Sequence, residues 1–155
     1  MPLLKDQDRQ ALEQTFGEMP GRVRVIFFTQ ALDCETCEIT GKILDEIAPL
    51  GEKIELVKYN FAIDKDKVSQ YNIARIPAIA IVRLDESQNE SGEPKLHEHD
   101  YGIRFYGVPA GYEFMSLVGS ILDVSSGDSQ LSPQSRGLVA QVQAPTHIQV
   151  FTTPT

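Results

Sequence analysis

Val23-Arg24-Val25-Ile26-Phe27-Phe28-Thr29-Gln30-Ala31-Leu32-Asp33-Cys34-Glu35-Thr36-Cys37-Glu38-Ile39-Thr40-Gly41-Lys42-Ile43-Leu44-Asp45-Glu46-Ile47 decides the architecture of this chain. Val23 to Thr29 is β-branched and aromatic almost throughout, the pattern of a central strand covered on both faces and not of a half-exposed hairpin. After a short loop, Ile39, Ile43, Leu44 and Ile47 recur at helical spacing. Pro49 and Gly51 bound that helix. Ile54 to Phe61 reads as the next strand. Strand, helix and strand within about forty residues form a βαβ unit, whose strands must be parallel and whose crossover must be right-handed.

Working outward, Leu4, Ala11, Leu12, Thr15, Phe16 and Met19 make residues near 5 to 16 an amphipathic helix ending at Gly17, before a Pro20-Gly21 turn. Residues 64 to 71 read as a short helix with Asp64 as its N-cap. Asn72-Ile73-Ala74-Arg75-Ile76-Pro77 leads into a strand over 78–82. The polar stretch 85–95 is expected to be a hairpin loop, and residues 101–106 return as an antiparallel strand. A Gly-Pro turn then opens a helix carrying Phe114, Leu117, Val118, Ile121 and Leu122. The expected fold is α/β: a mixed central sheet with helices on both faces, occupying residues 1–124.

Beyond Asp123 the composition changes. Residues 125–131 read as a linker, and Ser132-Pro133 opens a helix through about Gln143. Ile148 to Thr152 has strand character but no evident partner in the sheet. Residues 132–155 are therefore expected to be the helix and strand that start an interrupted second unit. An unpaired apolar strand recruits others, so a homodimer through this C-terminal strand is one expectation, and loss of order after about residue 144 is the other.

With 155 residues, 41% of them apolar, the chain is long enough to close one core. The formal net charge of -8 speaks against a nucleic-acid partner, since phosphate affinity comes from Lys and Arg. No apolar run is long enough to cross a membrane, and the start lacks a basic stretch followed by an apolar one, which leaves the cytoplasm as the expected compartment. No phosphate-binding or dinucleotide-binding glycine motif and no H-E-x-x-H spacing is present.

Cys34 and Cys37 are the chain's only cysteines. Two cysteines so close cannot frame a secreted fold, and read as a reactive or metal-binding pair. Their place between strand and helix sets Cys34 at or beside a helix N-terminus, where unpaired amides and the helix dipole favour the thiolate. Cys34 would then attack a disulfide, and Cys37 would resolve the mixed disulfide. The rival is a zinc site completed by His97 and His99, which share one face of a strand expected to lie away from the cysteines.

With these elements the chain resembles the thioredoxin superfamily. Val25-Ile26-Phe27-Phe28-Thr29, Arg75-Ile76-Pro77-Ala78 and Arg104-Phe105-Tyr106-Gly107-Val108-Pro109-Ala110-Gly111-Tyr112-Glu113-Phe114 look like the first unit of the glutaredoxin-like protein disulfide oxidoreductases, which join two such units in tandem. His147 to Thr155 is similar to the opening strand of the second unit, before the place of its Cys-Pro-Tyr-Cys motif. The resemblance implies dithiol-disulfide exchange with protein disulfide or dithiol substrates, recycling by a reductase or small thiol, and no cofactor. It also implies that Pro77 is cis, that Ile76 pairs with substrate, and that Arg75 lies near the site. A related tandem domain in the alkyl hydroperoxide reductase flavoprotein passes electrons to a peroxiredoxin, although its working pair lies in the second unit. If the main pair of such a tandem protein lies elsewhere, this unit acts as a non-catalytic relay or assembly module.

The chain departs from thioredoxin itself in lacking Trp and in placing Leu32-Asp33 before Cys34. Phe28 stands where thioredoxins keep a buried carboxylate. Asp33, Glu35 and Glu38 surround the pair with negative charge, which destabilises a thiolate and hence the reduced form. The dithiol-disulfide couple is therefore expected near the reducing end of the known range, roughly -270 mV; a potential above about -180 mV in glutathione-buffered equilibration would overturn this.

Overall fold

The computed structural model describes residues 3–88 and 93–152. Its elements are α1 (Asp6–Gly17), β1 (Arg22–Thr29), α2 (Cys37–Ile47), a 3-10 turn (Ala48–Leu50), β2 (Ile54–Asn60), α3 (Lys65–Gln70), β3 (Ala78–Gln88), β4 (Pro94–Tyr106), α4 (Tyr112–Ser126) and α5 (Pro133–Val139). The sheet runs β2-β1-β3-β4. β1 pairs in parallel with β2 and antiparallel with β3, and β3 pairs antiparallel with β4, so the sheet is mixed.

The period of two along β1 divides its side chains between two cores. Val23, Val25 and Phe27 join Ile79 and Ile81 of β3 on one face, under Leu12 and Phe16 of α1, Leu44 and Ile47 of α2, and Leu117, Val118, Ile121 and Val124 of α4. Ile26 and Phe28 join Ala78, Ala80 and Val82 on the other, under Tyr71 and Ile73, with Val68 of α3 packed alongside. Each large apolar side chain so buried contributes about 1.5–3 kcal/mol relative to exposure. Helices thus cover both faces of a mixed sheet.

Several local expectations change. β3 and β4 continue through the stretch expected to be a loop, with Leu84 to Gln88 paired to Glu98 through Pro94. Residues 93–97 are exposed, so this ribbon extends past the helix layer and has no apolar alternation to reveal it. The register shifts between Ala80 and Val82, where Gly102 takes φ 82° and Asp100 Oδ1 accepts its N–H at 2.8 Å. Such a bulge needs a residue that tolerates positive φ. Asp64 precedes α3 but does not cap it; its carboxylate instead accepts the Asn60 N–H at 2.6 Å.

At the C-terminal side, α4 runs to Ser126, two residues into the expected linker, and ends at Gly127 with φ 68°. Ser132 does cap α5, accepting the Ser135 N–H at 3.1 Å, but this helix stops at Val139, short of Gln143. Residues 144–152 join no sheet among the described residues, and Ile148, Val150 and Phe151 are exposed. The last expected positions, 153–155, lie outside the described residues. No helix among the described residues is long and apolar enough to cross a membrane.

Buried Ser125 clasps the entry to β1: its Oγ donates to the Gly21 carbonyl at 2.7 Å and accepts the Gly21 N–H at 3.0 Å. A Cβ on Gly21 would lie 2.6 Å from the Ser125 carbonyl oxygen, whereas one on Gly119 meets nothing within 4 Å. Backbone cannot yield as a flexible side chain can, so Gly21→Ala is expected to cost about 1–3 kcal/mol. Gly119→Ala, inside α4, is expected to be neutral or to stabilise by up to about 1 kcal/mol. Urea unfolding of both variants checks the pair.

Candidate redox site

The site grows out of the end of β1. Thr29 pairs with Asn60 of β2, and Phe28 pairs with Ala78 of β3. The loop that leaves Thr29 therefore starts beside the turn after β2 and beside Pro77, which immediately precedes β3. In that loop Asp33 takes φ 56°, a conformation Asp tolerates better than most side chains.

Cys34 and Cys37 are joined in a disulfide with their Cα atoms 5.4 Å apart. Cys37 is the first residue of α2, and its N–H donates to the Cys34 carbonyl at 3.3 Å. Cys34 thus lies just before the helix rather than in its first turn. Burial separates the two: Cys37 is 4% exposed, while Cys34 is partly open to solvent. Thr40 fixes the first turn, with its hydroxyl and its N–H both donating to the Thr36 carbonyl, at 2.9 and 3.1 Å. Gly41 lets the helix sit close to Phe27, whose ring would lie 3.4 Å from a Cβ there.

The Ile76–Pro77 peptide is cis. Pro77 is buried, and its carbonyl accepts the Gly107 N–H at 3.0 Å, which fastens it to the end of β4. Neither the N–H nor the carbonyl of Ile76 bonds to another described residue. Arg75 is exposed, with its guanidinium carbon 4.9 Å from the centroid of the Tyr106 ring. Sequence reasoning had no signal for that stacking, because the two residues meet only through the β3–β4 register.

Of the three acids around the pair, Glu38 is accounted for: Lys42, one turn along α2, approaches it to 2.5 Å and holds its carboxyl below the ordinary range. Asp33 and Glu35 are exposed and have no ion-pair partner among the described residues. Phe28 is fully buried, and no acidic or basic side chain is buried among the described residues.

His97 and His99 pair with Asp85 and Arg83, well along β3 from Ala78. At ~3.4 Å per residue they stand roughly 24 and 17 Å from the site end of the sheet, too far to share a metal with the cysteines. No group of three metal-ligating side chains occurs among the described residues.

No family model and no curated protein matches the chain. Among solved structures, the protein disulfide oxidoreductase of Aeropyrum pernix K1 superposes with a TM-score of 0.70 at 25% identity, over 88% of this chain and 54% of that one. The chain is a unit of the thioredoxin superfamily. Two structures from Enterococcus faecalis V583 also match this thioredoxin-superfamily unit with a TM-score of 0.70 and 25% identity. They are the NTD_N/C domain of alkylhydroperoxide reductase AhpF, over 86% of this chain and 58% of that one, and AhpF carrying C503A, over 89% and 60%. The unit thus spans less than two thirds of each of these neighbours.

A polar network that the sequence did not announce holds the proline loop of this unit. Arg104 Nε donates to the Tyr71 carbonyl at 2.9 Å, at the entry to residues 72–77, and its guanidinium pairs with Asp100. The Tyr71 hydroxyl donates to Glu98, which also pairs with Arg24; burial first, then Glu98, push the Tyr71 phenol well above its usual value, so it stays protonated. The hydrogen bond from Arg104 is the largest cause holding the Asp100 carboxyl below its ordinary value. A depressed carboxyl stabilises the fold fully above its unfolded pKa, near 3.9, and loses that contribution as pH falls through the folded value. Arg104→Ala is expected to cost about 2 kcal/mol at pH 7, because a largely buried charged donor is lost. Its urea midpoint should then fall less than the parent's as the pH is lowered below about 4.

Proposed function

We propose that this thioredoxin-superfamily unit is a protein disulfide oxidoreductase in which Cys34 is the nucleophile and Cys37 the resolving cysteine. The observation that carries the reading is the asymmetry of the disulfide, one sulfur partly open and the other buried at the start of α2, on a fold shared with a protein disulfide oxidoreductase. In the reducing direction the Cys34 thiolate attacks one sulfur of a partner disulfide. That S–S bond breaks, the partner's other sulfur leaves as a thiolate, and a mixed disulfide forms. Cys37, once deprotonated, attacks the Cys34 sulfur, frees the second partner thiolate and closes the Cys34–Cys37 bond. Two electrons pass to the partner, and the protons given up by the pair end on its thiols. With no acidic or basic side chain buried among the described residues, Cys37 gives its proton to solvent, from which the partner's thiolates are reprotonated. An external reductase or small thiol then returns the pair to the dithiol state.

The remaining roles follow the same reading. The unbonded backbone of Ile76, next to cis-Pro77, supplies a donor and an acceptor for one residue of a partner strand, and Arg75 borders that strand. Residues 132–155 form the start of a second unit, which would cover the apolar surface that Leu138, Val139 and Val142 expose, as well as Ile148 to Phe151. A homodimer through the C-terminal strand would cover the latter segment equally well. The likeness to AhpF units brings a peroxiredoxin into the range of partners, and the cytoplasm is the compartment in which such a dithiol is kept reduced.

Insulin reduction by the chain in the presence of dithiothreitol tests the assignment. Cys34→Ser is expected to fall to the rate of dithiothreitol alone, and Cys37→Ser, reduced and then freed of dithiothreitol before insulin is added, to accumulate a mixed disulfide visible on a non-reducing gel. A Cys34→Ser protein as active as the parent would favour the relay or assembly role instead.

A further inference from the structure

The loops beside the disulfide carry exposed apolar side chains on braced turns. Leu32, two residues before Cys34, is 77% exposed, and the Gln30 side-chain amide donates to its carbonyl at 2.6 Å. Ile63, also 77% exposed, lies in the turn after β2, where the Asn60 side-chain oxygen accepts the N–H groups of Ala62 and Ile63 at 2.9 and 3.1 Å. Because Thr29 pairs with Asn60, both turns rise from the same end of the sheet, as does half-buried Ile76. Single exposed apolar residues are ordinary. Here they rise at the end of the sheet that carries Cys34, the more open sulfur of the disulfide.

Charge supplies the direction. Asp33 and Glu35 flank Cys34 on either side, both exposed and both without an ion-pair partner among the described residues, while Glu38 is paired with Lys42. The formal net charge of -8 adds to the local field. Any partner whose sulfur reaches Cys34 must bring its neighbouring residues within a few ångströms of two carboxylates. That distance is inside the Debye length of about 10 Å at 0.1 M salt, so the charges act on the approaching segment unscreened by more than a fraction.

We propose that the partner of this site is an extended protein segment bearing apolar residues that lie on Leu32 and Ile63, with a basic residue beside its cystine. Asp33 and Glu35 select that segment over anionic small disulfides. The proposal rests on the exchange reading and names its substrate class. Selection acts on association and on the mixed-disulfide step, where the charges are closest, and weakens as salt rises.

The test compares three disulfides reduced by the dithiol form of the chain: two cystine peptides of one apolar sequence, with Lys or with Glu on each side of the cystine, and oxidised glutathione. At about 20 mM ionic strength the Lys peptide is expected to react about five- to tenfold faster than the Glu peptide, and faster than oxidised glutathione. At about 0.5 M salt the ratio of the two peptides should approach one. D33N/E35Q should lose the preference, and L32S/I63S should slow both peptides together. Equal rates at low salt, or a preference for the Glu peptide, would overturn the proposal while leaving disulfide exchange intact. Failure to reduce either peptide faster than the Cys34→Ser variant does would overturn both.

Discussion

β1 is the constraint on which the rest of the structure depends. It is buried on both faces and bonded on both edges, so its register can slip toward neither partner without carrying Val25 and Phe27 into the wrong core. That fixed register places the end of β2 and the start of β3 beside Thr29. The loop with the cysteines, the turn at Ile63 and the cis peptide at Pro77 are consequently neighbours through the sheet, although they are far apart in the chain. The chemistry at the site is assembled by strand pairing first and by side-chain contacts second.

The parts of the fold that were legible in the sequence are those where burial and period coincide. Val23 to Thr29, the stripe from Ile39 to Ile47 and the apolar positions of α4 could each be read because water is excluded from them in a repeating pattern. The polar ribbon formed by β3 and β4 beyond Leu84 was not legible, since its ladder is held by strand pairing and its described side chains are polar or exposed, with no buried apolar face. Asp64 has the right identity for a cap, yet the Asn60 amide competes for its carboxylate. In the site, the pairing of Cys34 with Cys37 could be read from spacing, whereas the Arg104–Tyr71 contact and the stacking of Arg75 on Tyr106 depend on which strands meet, which composition does not encode.

The site is also shaped by what its core holds. Phe27 and Phe28 occupy successive positions of β1, one in each core, and no acidic or basic side chain is buried with them among the described residues. A buried carboxylate would need partners for its charge, whereas a phenyl ring in the same place stabilises the sheet by burial alone. Beside the cysteines, Asp33 and Glu35 are exposed to solvent, and so is Arg75.

The Gly21–Ser125 clasp sits at the opposite end of β1 from the cysteines, and the chain leaves α4 immediately after it. Whatever hangs from Gly127 onward is anchored to the core at that remote post. A tug transmitted along the C-terminal segment is borne there, by two hydrogen bonds and a close backbone contact, a full strand length away from the sulfur pair. The clasp and the disulfide thus stand at opposite ends of one strand.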